Sequence, residues 1–188
     1  KGIGSDNRIG KYFLHAGPGY GGSCFPKDTK ALVSLGKQVG VDLKIVSAAE
    51  AANKRQKQET VKKITSHFNG NLKGKTFGIL GLSFKPNTDD VREAPSLTII
   101  DSLLKQGAKV QVFDPVAMNA IQKMYKNKLI YCETMYDVFN KTNGIILVTE
   151  WNDFRDMDLK KAQKNMLEKV IFDTRNVYEP EELRTLGF

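Results

Sequence analysis

Cysteine is scarce in this chain: only Cys24 and Cys132 occur among its 188 residues. So little cysteine excludes the disulfide framework of a small secreted domain and fits a reducing cytoplasm. Histidine is as rare. His15 and His67 stand alone, without the spacing to cysteine or to each other that zinc ligation needs, so no metal site is expected. No apolar run approaches the roughly 20 residues of a membrane-spanning helix, and no secretory signal opens the chain. Blocks of like charge are missing too. The net charge of +8 comes from scattered lysines and arginines, with no zinc-finger spacing and no RNP-type aromatic motif. That composition fits a solvated basic surface or an anionic small ligand better than nucleic acid. What is present, 40% apolar and 27% charged residues, is the balance of a globular domain. The chain begins at Lys1 inside a functional-looking segment, as expected of a portion of a longer protein.

Three regions differ in texture. Residues 1–28 are glycine-rich and loop-like, residues 29–70 read as helix, and residues 74–188 alternate strand with helix. The middle region predicts a short helix over 29–39, capped by Asp28, and a long one over 43–68. Gly36 and Gly40 weaken and end the first. The second carries Leu43, Val46, Ala49, Val61, Ile64 and Phe68 at three- and four-residue steps, around a centre of Ala48-Ala49-Glu50-Ala51-Ala52. Alanines permit close helix-to-helix approach. Two alternatives stand: this helix packs on another subunit or a further domain, or on the C-terminal domain of its own chain.

The last region holds five short apolar runs: Thr76–Leu80, Val110–Phe113, Leu129–Cys132, Gly144–Val148 and Val170–Phe172. Helical patterns separate most of them, in a Leu97, Ile100, Leu104 stripe and in stretches near 116–126, 134–141 and 158–168. Strands alternating with helices imply crossover connections and a parallel sheet. Ile145-Ile146-Leu147-Val148 is apolar at every position, as in a central strand covered on both faces. The expected fold class is α/β, a helical segment followed by a doubly wound, Rossmann-like parallel-sheet domain over 74–188.

Such sheets bind ligands beyond the carboxyl ends of their strands. There the sequence places Phe84 to Glu93 after the first strand, Thr149-Glu150-Trp151 after the fourth, and Asp173-Thr174-Arg175-Asn176 after the fifth. Lys85, Arg92 and Arg175 are candidates to converge on a polyanion, and the planar fork of arginine suits phosphate. The first turn, Gly78-Ile79-Leu80-Gly81-Leu82-Ser83, is not the full G-x-G-x-x-G fingerprint. A nucleoside diphosphate held by side chains fits it better than a dinucleotide held in the usual way.

The stronger chemical signal is Cys24, within Gly17-Pro18-Gly19-Tyr20-Gly21-Gly22-Ser23-Cys24-Phe25-Pro26-Lys27-Asp28. The thiolate is the reactive form, and nearby positive charge or a helix N-terminus favours it. Lys27 and a helix starting near Asp28 offer both. The glycines let the backbone pass close to a ligand, and Asp28 can orient a water or move a proton. These neighbours favour a nucleophile over a small buried apolar residue. Cys132, which ends an apolar run, is expected to be plain core packing.

Gly19 to Asp28, then Gly81 to Glu93, then Val148-Thr149-Glu150-Trp151, with Asp6-Asn7-Arg8-Ile9-Gly10 ahead of them, closely resemble the UDP-glucose 6-dehydrogenase family. GDP-mannose and UDP-N-acetylmannosamine dehydrogenases share the layout, but Tyr20 and Phe25-Pro26 look most like the UDP-glucose enzymes. The resemblance implies a catalytic-cysteine loop (1–28), a central helical segment that forms a dimer (29–70), and a UDP-sugar-binding domain (74–188). An N-terminal NAD-binding domain would be absent from this chain, leaving it without turnover alone. The resemblance also implies NAD as cofactor and UDP-glucose as substrate, oxidised twice to UDP-glucuronate through a thiohemiacetal and a thioester on Cys24. Carried over residue by residue, it puts Cys24 and Asp28 in catalysis. It puts Arg8, Phe13, Leu14, His15, Ala16, Gly17, Gly21, Phe84, Lys85 and Arg175 at the sugar nucleotide, with Arg8 reaching toward a neighbouring subunit. Lys27 and Arg92 would meet NAD. His15 departs from the lysine or asparagine usual at its position, so its contact is expected through the backbone. Thr174 stands where glycine is common. The rival of another class is a module that binds a phosphate ligand without chemistry.

Overall fold

The computed structural model describes residues 2–10 and 14–188; the candidate Phe13 lies outside the described residues. Two helices, α1 (Phe25–Gln38) and α2 (Lys44–His67), precede a domain of five strands: β1 (Thr76–Leu80), β2 (Lys109–Phe113), β3 (Ile130–Tyr131), β4 (Gly144–Leu147) and β5 (Ile171–Asp173). Helices α3 (Pro95–Lys105), α4 (Met118–Tyr125), α5 (Asn152–Arg155), α6 (Leu159–Ala162) and α7 (Pro180–Leu186) connect and follow them. All pairings are parallel and the strand order is β3-β2-β1-β4-β5. The order reverses between β1 and β4, which places the ligand crevice beyond Leu80 and Leu147.

Alternation along the strands explains why both faces are covered. Phe77, Ile79, Val110, Val112 and Ile146 face one core, shared with Ile99, Ile100 and Leu103. Leu80, Ile145 and Leu147 face the other, with Val138, Phe139, Trp151 and Phe154. The second half of α2 belongs to the first core through Val61, Ile64 and Phe68. Burying each such side chain contributes about 1.5–3 kcal/mol, enough to fix the helix on its own domain. The first half projects beyond it. Ala48, Ala49, Ala51 and Ala52 are exposed, and Ile45 is 87% exposed. Of the two alternatives, packing on its own domain therefore holds for the second half of the helix.

Three expectations need correction. The first helix begins at Phe25 rather than 29, so Cys24 takes the N-cap position and Asp28 lies in the first turn instead of capping. Pro26 explains the early start, since proline is preorganised for a first turn where its missing N–H costs nothing. The stretch 134–141 forms only a 3-10 turn at Asp137–Phe139. There Thr134 and Asp137 hydrogen-bond each other's side chain and backbone, a local alternative to helix. The stretch 158–168 forms only α6 and a 3-10 turn, Gln163–Asn165. The short helices α5 and α7 carried no periodicity long enough to read.

Candidate active site

The loop that carries Cys24 lies against one face of α2. The Tyr20 N–H donates to Asn53 Oδ1 at 2.8 Å, and Asn53 Nδ2 donates back to the Tyr20 carbonyl at 3.2 Å. The Tyr20 hydroxyl donates to Glu50 Oε1 at 2.6 Å. Thr29, one turn into α1, donates to the same oxygen at 2.5 Å. Burial and then Glu50 push the Tyr20 hydroxyl up to about 12, while Thr29 and then Tyr20 hold the Glu50 carboxyl below its ordinary value. The far side of the loop meets the turn between β1 and α3. Gly22 N–H donates to the Arg92 carbonyl at 2.8 Å. A Cβ on Gly21 would lie 2.6 Å from the Glu93 carbonyl oxygen, so only glycine fits there.

Cys24 emerges from this clamp exposed, with no cap hydrogen bond from its side chain. Its Sγ stands 3.7 Å from Ser23 Oγ. Cys24 takes the N-cap position of a 14-residue helix, whose first-turn N–H groups carry partial positive charge. Arg92 lies on the adjoining turn, and its carbonyl accepts from the Gly22 N–H. Asp90 binds it through two bonds of 2.9 Å and is the main reason its guanidinium sits above its ordinary value; Cys24 adds to that shift, which places the two within electrostatic reach. Lys27 and Asp28 are both exposed and pair loosely at 3.6 Å. Glu93 accepts from Lys30 Nζ at 2.6 Å, and its carbonyl accepts from Lys57 Nζ at 2.7 Å. Lys30, above all, holds the Glu93 carboxyl below its ordinary value. Glu93 itself adopts a left-handed backbone, φ 53°.

The second half of the site forms where β1, β4 and β5 end. Asp114, 1% exposed just beyond β2, gathers the turns there. Its Oδ2 accepts from the N–H groups of Leu82 (2.7 Å) and Ser83 (3.3 Å) and from Trp151 Nε1 (3.3 Å), while Oδ1 accepts from Val116 and Ala117. Thr149 Oγ1 donates to the Ser83 carbonyl at 2.6 Å. Gly81, at φ 86°, has Thr149 so close that a Cβ would fall 2.4 Å from its side chain. The β1 turn is thus filled by protein, and the acid beyond β2 is fully engaged. Neither is free to cradle a dinucleotide in the manner of a nucleotide-binding Rossmann half.

Arg175 is a half-buried cation at this edge. Asp173 shapes the turn that carries it, accepting from the N–H groups of Arg175, Val177 and Tyr178. Thr174 ties the same turn to β4 through a 2.7 Å bond to the Leu147 carbonyl, so its side chain has a structural use. Arg175 Nε donates to the Val148 carbonyl at 2.8 Å and lies 3.0 Å from Glu150 Oε2. That N–H is directed at the carbonyl, so the carboxylate is an ionic neighbour and its Oε2 has no hydrogen-bond partner. Burial lowers the guanidinium pKa, with Glu150 opposing. Nη2 donates to the Phe84 carbonyl at 3.4 Å, and Nη1 sits 2.9 Å from where a Cβ on Gly17 would be. Phe84 in turn packs its ring on Gly22 and carries Lys85 Nζ 5.4 Å from its centroid. Beside Arg175, a cleft of about 480 Å³ opens between Ala16 and Gly17, α2 at Gln56 and Lys63, and the β5 turn at Asp173 and Asn176.

The structure therefore brings together Cys24, Gly17, Gly21, Phe84, Lys85, Arg92 and Arg175. Lys85, Arg92 and Arg175 do not stand as three free cations. Arg92 is bound by Asp90, Arg175 is half-buried against Glu150, and Lys85 is exposed on Phe84. Leu14, His15 and Ala16 are exposed on the stretch leading to Gly17. Arg8 is 89% exposed and bound by Asp6 through its Nε and Nη2. Sequence reasoning missed the supports: Glu50, Asn53 and Lys57 on α2, and the buried Asp114. The first three stand at helical spacing and so on one face of α2, a polar stripe that periodicity analysis aimed at apolar residues passes over.

Two family domains match the chain. They are the central domain of the UDP-glucose/GDP-mannose dehydrogenase family over residues 1–55 and its UDP binding domain over residues 78–180. A UDP-glucose 6-dehydrogenase of Pseudomonas aeruginosa is 42% identical over 193 residues, which covers 100% of this chain and 43% of that protein. The chain thus spans less than half the length of this curated relative. Among solved structures, a UDP-glucose dehydrogenase from Pyrobaculum islandicum superposes with a TM-score of 0.85 at 35% identity, over 96% of this chain and 40% of that one. A GDP-mannose dehydrogenase from Pseudomonas aeruginosa, solved as a ternary complex, gives 0.74 at 26% identity, over 92% and 40%. With a Rossmann-like parallel sheet whose crevice holds Arg175 and faces a clamped cysteine loop, the chain belongs to the UDP-glucose/GDP-mannose dehydrogenase family.

Proposed function

We propose that this chain supplies the nucleophile and the sugar-nucleotide site of an NAD-dependent UDP-glucose 6-dehydrogenase. The observation that carries the reading is an exposed thiol, Cys24, at the N-terminus of α1, in a loop wedged between α2 and the turn leading to the crevice. The UDP moiety lies across the strand ends, where Arg175 and Lys85 offer charge and the cleft beside Ala16 and Gly17 offers room. The sugar then extends over Phe84 and Gly21 toward Cys24. Arg8, exposed, serves a neighbouring subunit's site, and His15 contributes through its backbone.

NAD, when bound, accepts a hydride from C6 of the sugar. Thr149 stands close against Gly81 in the β1 turn of this chain, and the cradle for NAD would belong to a separate N-terminal domain of the full-length protein. Lys27 and Arg92, exposed beside the thiol, offer charge to its phosphates or ribose at the rim. In the second oxidation the Cys24 sulfur attacks the aldehyde carbon and the carbonyl oxygen gains a proton, forming a thiohemiacetal. The hydrogen that C6 kept through the first oxidation now sits on a tetrahedral carbon whose hydroxyl oxygen can expel it as hydride, which the trigonal carbon of a bare aldehyde cannot do. Loss of that hydride, for which a second NAD would be the acceptor, together with the hydroxyl proton leaves a thioester. Water then adds, the C–S bond breaks, Cys24 leaves as thiolate, and the carboxylate of UDP-glucuronate is released. Asp28, in the first turn of α1, orients that water. The exposed apolar side chains Leu35, Val41 and Ile45, beside the alanines of α2, form the contact of a cytoplasmic homodimer.

The test is made in full-length protein. Cys24→Ala is expected to lose glucuronate formation, whereas normal glucuronate production by that variant refutes the assignment. Arg175→Ala and Lys85→Ala are expected to weaken UDP-glucose binding tenfold or more by calorimetry. Turnover with UDP-glucose, GDP-mannose and UDP-N-acetylmannosamine side by side decides the sugar.

A further inference from the structure

The nucleophile loop is supported from α2 rather than from within itself. Glu50 and Asn53, one turn apart on that helix, together hold Tyr20 by its hydroxyl, its N–H and its carbonyl. The same Glu50 oxygen accepts from Thr29, five residues beyond the thiol. One carboxylate oxygen therefore bridges the two sides of Cys24: the glycine run that precedes it and the helix it caps. Tyr20 also packs edge-on against Phe25, the residue after Cys24, with ring centroids 4.8 Å apart. Among the described residues, the one hydrogen-bonding approach of the Cys24 side chain is the 3.7 Å approach to Ser23. Its position is inherited from the backbone on either side, and Glu50 joins those two backbones.

We infer that Glu50 is a positioning residue for Cys24, acting through Tyr20 and Thr29 to hold the thiol at the mouth of the crevice. The inference rests on the reading of Cys24 as nucleophile. Glu50 is suited to the role because an ionised acceptor makes stronger hydrogen bonds than a neutral one and because α2 is anchored in the core at Val61 and Ile64. Lys57, two turns along from Glu50, extends the same stripe to the Glu93 carbonyl that Gly21 abuts. The loop is thereby held on its second side by the same helix.

The test compares Glu50→Gln and Glu50→Ala in full-length enzyme with two readouts. The rate of iodoacetamide alkylation at fixed pH, read by mass spectrometry on the peptide that carries Cys24, reports the thiol itself. Steady-state turnover reports kcat and KM for UDP-glucose. Glu50→Ala is expected to lower kcat tenfold or more with KM changed less than twofold, and to change the alkylation rate at least threefold. Glu50→Gln, which keeps an acceptor without the charge, should fall between it and the parent on both readouts. Tyr20→Phe, which removes one of the two bonds, should show a smaller effect than Glu50→Ala. Alkylation and kcat both within twofold of the parent in Glu50→Ala overturn the inference. So does a loss of turnover with unchanged alkylation, since Glu50 would then act on folding or assembly alone. Failure of the underlying reading shows separately, as full glucuronate production by Cys24→Ala whatever Glu50 does.

Discussion

Gly21→Ala is the sharpest perturbation the geometry offers. The added Cβ would lie 2.6 Å from the Glu93 carbonyl oxygen, 2.9 Å from its carbonyl carbon and 3.1 Å from Ala94 Cα. To restore ordinary contact the two backbones must part by roughly 0.8 Å. Neither side yields easily. All three obstructing atoms are backbone, the Glu93 carbonyl is held by Lys57, and Ala94 is 1% exposed. Overpacking of this kind costs about 1–3 kcal/mol, which lowers the melting temperature of a chain this size by about 2–4 °C per kcal/mol. The larger effect falls on chemistry. Cys24 lies three residues on, and a misplacement of about 1 Å costs on the order of 100-fold in rate. Full-length Gly21→Ala enzyme should therefore stay folded and lose about 10- to 100-fold in kcat for glucuronate formation. Gly40→Ala is the control. Gly40 has φ 72° but nothing within 4 Å of its Cβ position, so it should lose about 1–2 kcal/mol of stability and no activity. A Gly21→Ala enzyme with turnover within twofold of the parent would refute the account of the clamp.

Two further outcomes follow from buried groups. Asp114→Asn places an amide NH₂ among donors that now face a carboxylate, and should cost about 2–4 kcal/mol, read as a lower denaturation midpoint; a shift below about 0.5 kcal/mol would show that the turns stand without it. Stability should fall between about pH 9 and 12. Burial pushes the Cys132 thiol up to about 11 and the Tyr20 hydroxyl up to about 12, so the fold favours their protonated forms. That contribution is complete below their ordinary values of 9.0 and 10.0 and disappears as pH rises through the raised ones. Melting curves from pH 8 to 12 check it, and a flat profile would count against the burial of both groups.

The strands were legible because their signal is local. Thr76–Leu80 matches β1 at both ends, and the alternation of helix with strand was enough to imply a parallel sheet. The elements misread are those where side chains compete with helix. Thr134 and Asp137 tie up their own turn, and the helix start at Phe25 reflects Pro26 rather than the more familiar acidic cap at Asp28. Cys24, Lys85 and Arg175 were visible because reactive and cationic side chains at strand and helix ends are unusual by residue type alone. Their supports were not. Glu50 looks like any polar residue on a solvated helix face, and Asp114 looks like a surface acid after a strand, until partners 21 to 37 residues away arrive.

The sequence by itself determined the α/β class, the placing of a cysteine among glycines, and the choice of strand-end cations, since each depends on neighbours within a few residues. Only the tertiary structure decided that Arg175 lies against the Val148 carbonyl and the Glu150 carboxylate, and that α2 holds the nucleophile loop. Those depend on hydrogen bonds between residues as far apart as Tyr20 and Asn53, or Arg175 and Phe84. Such bonds form only once burial of apolar side chains has brought distant segments together, and no local pattern records them.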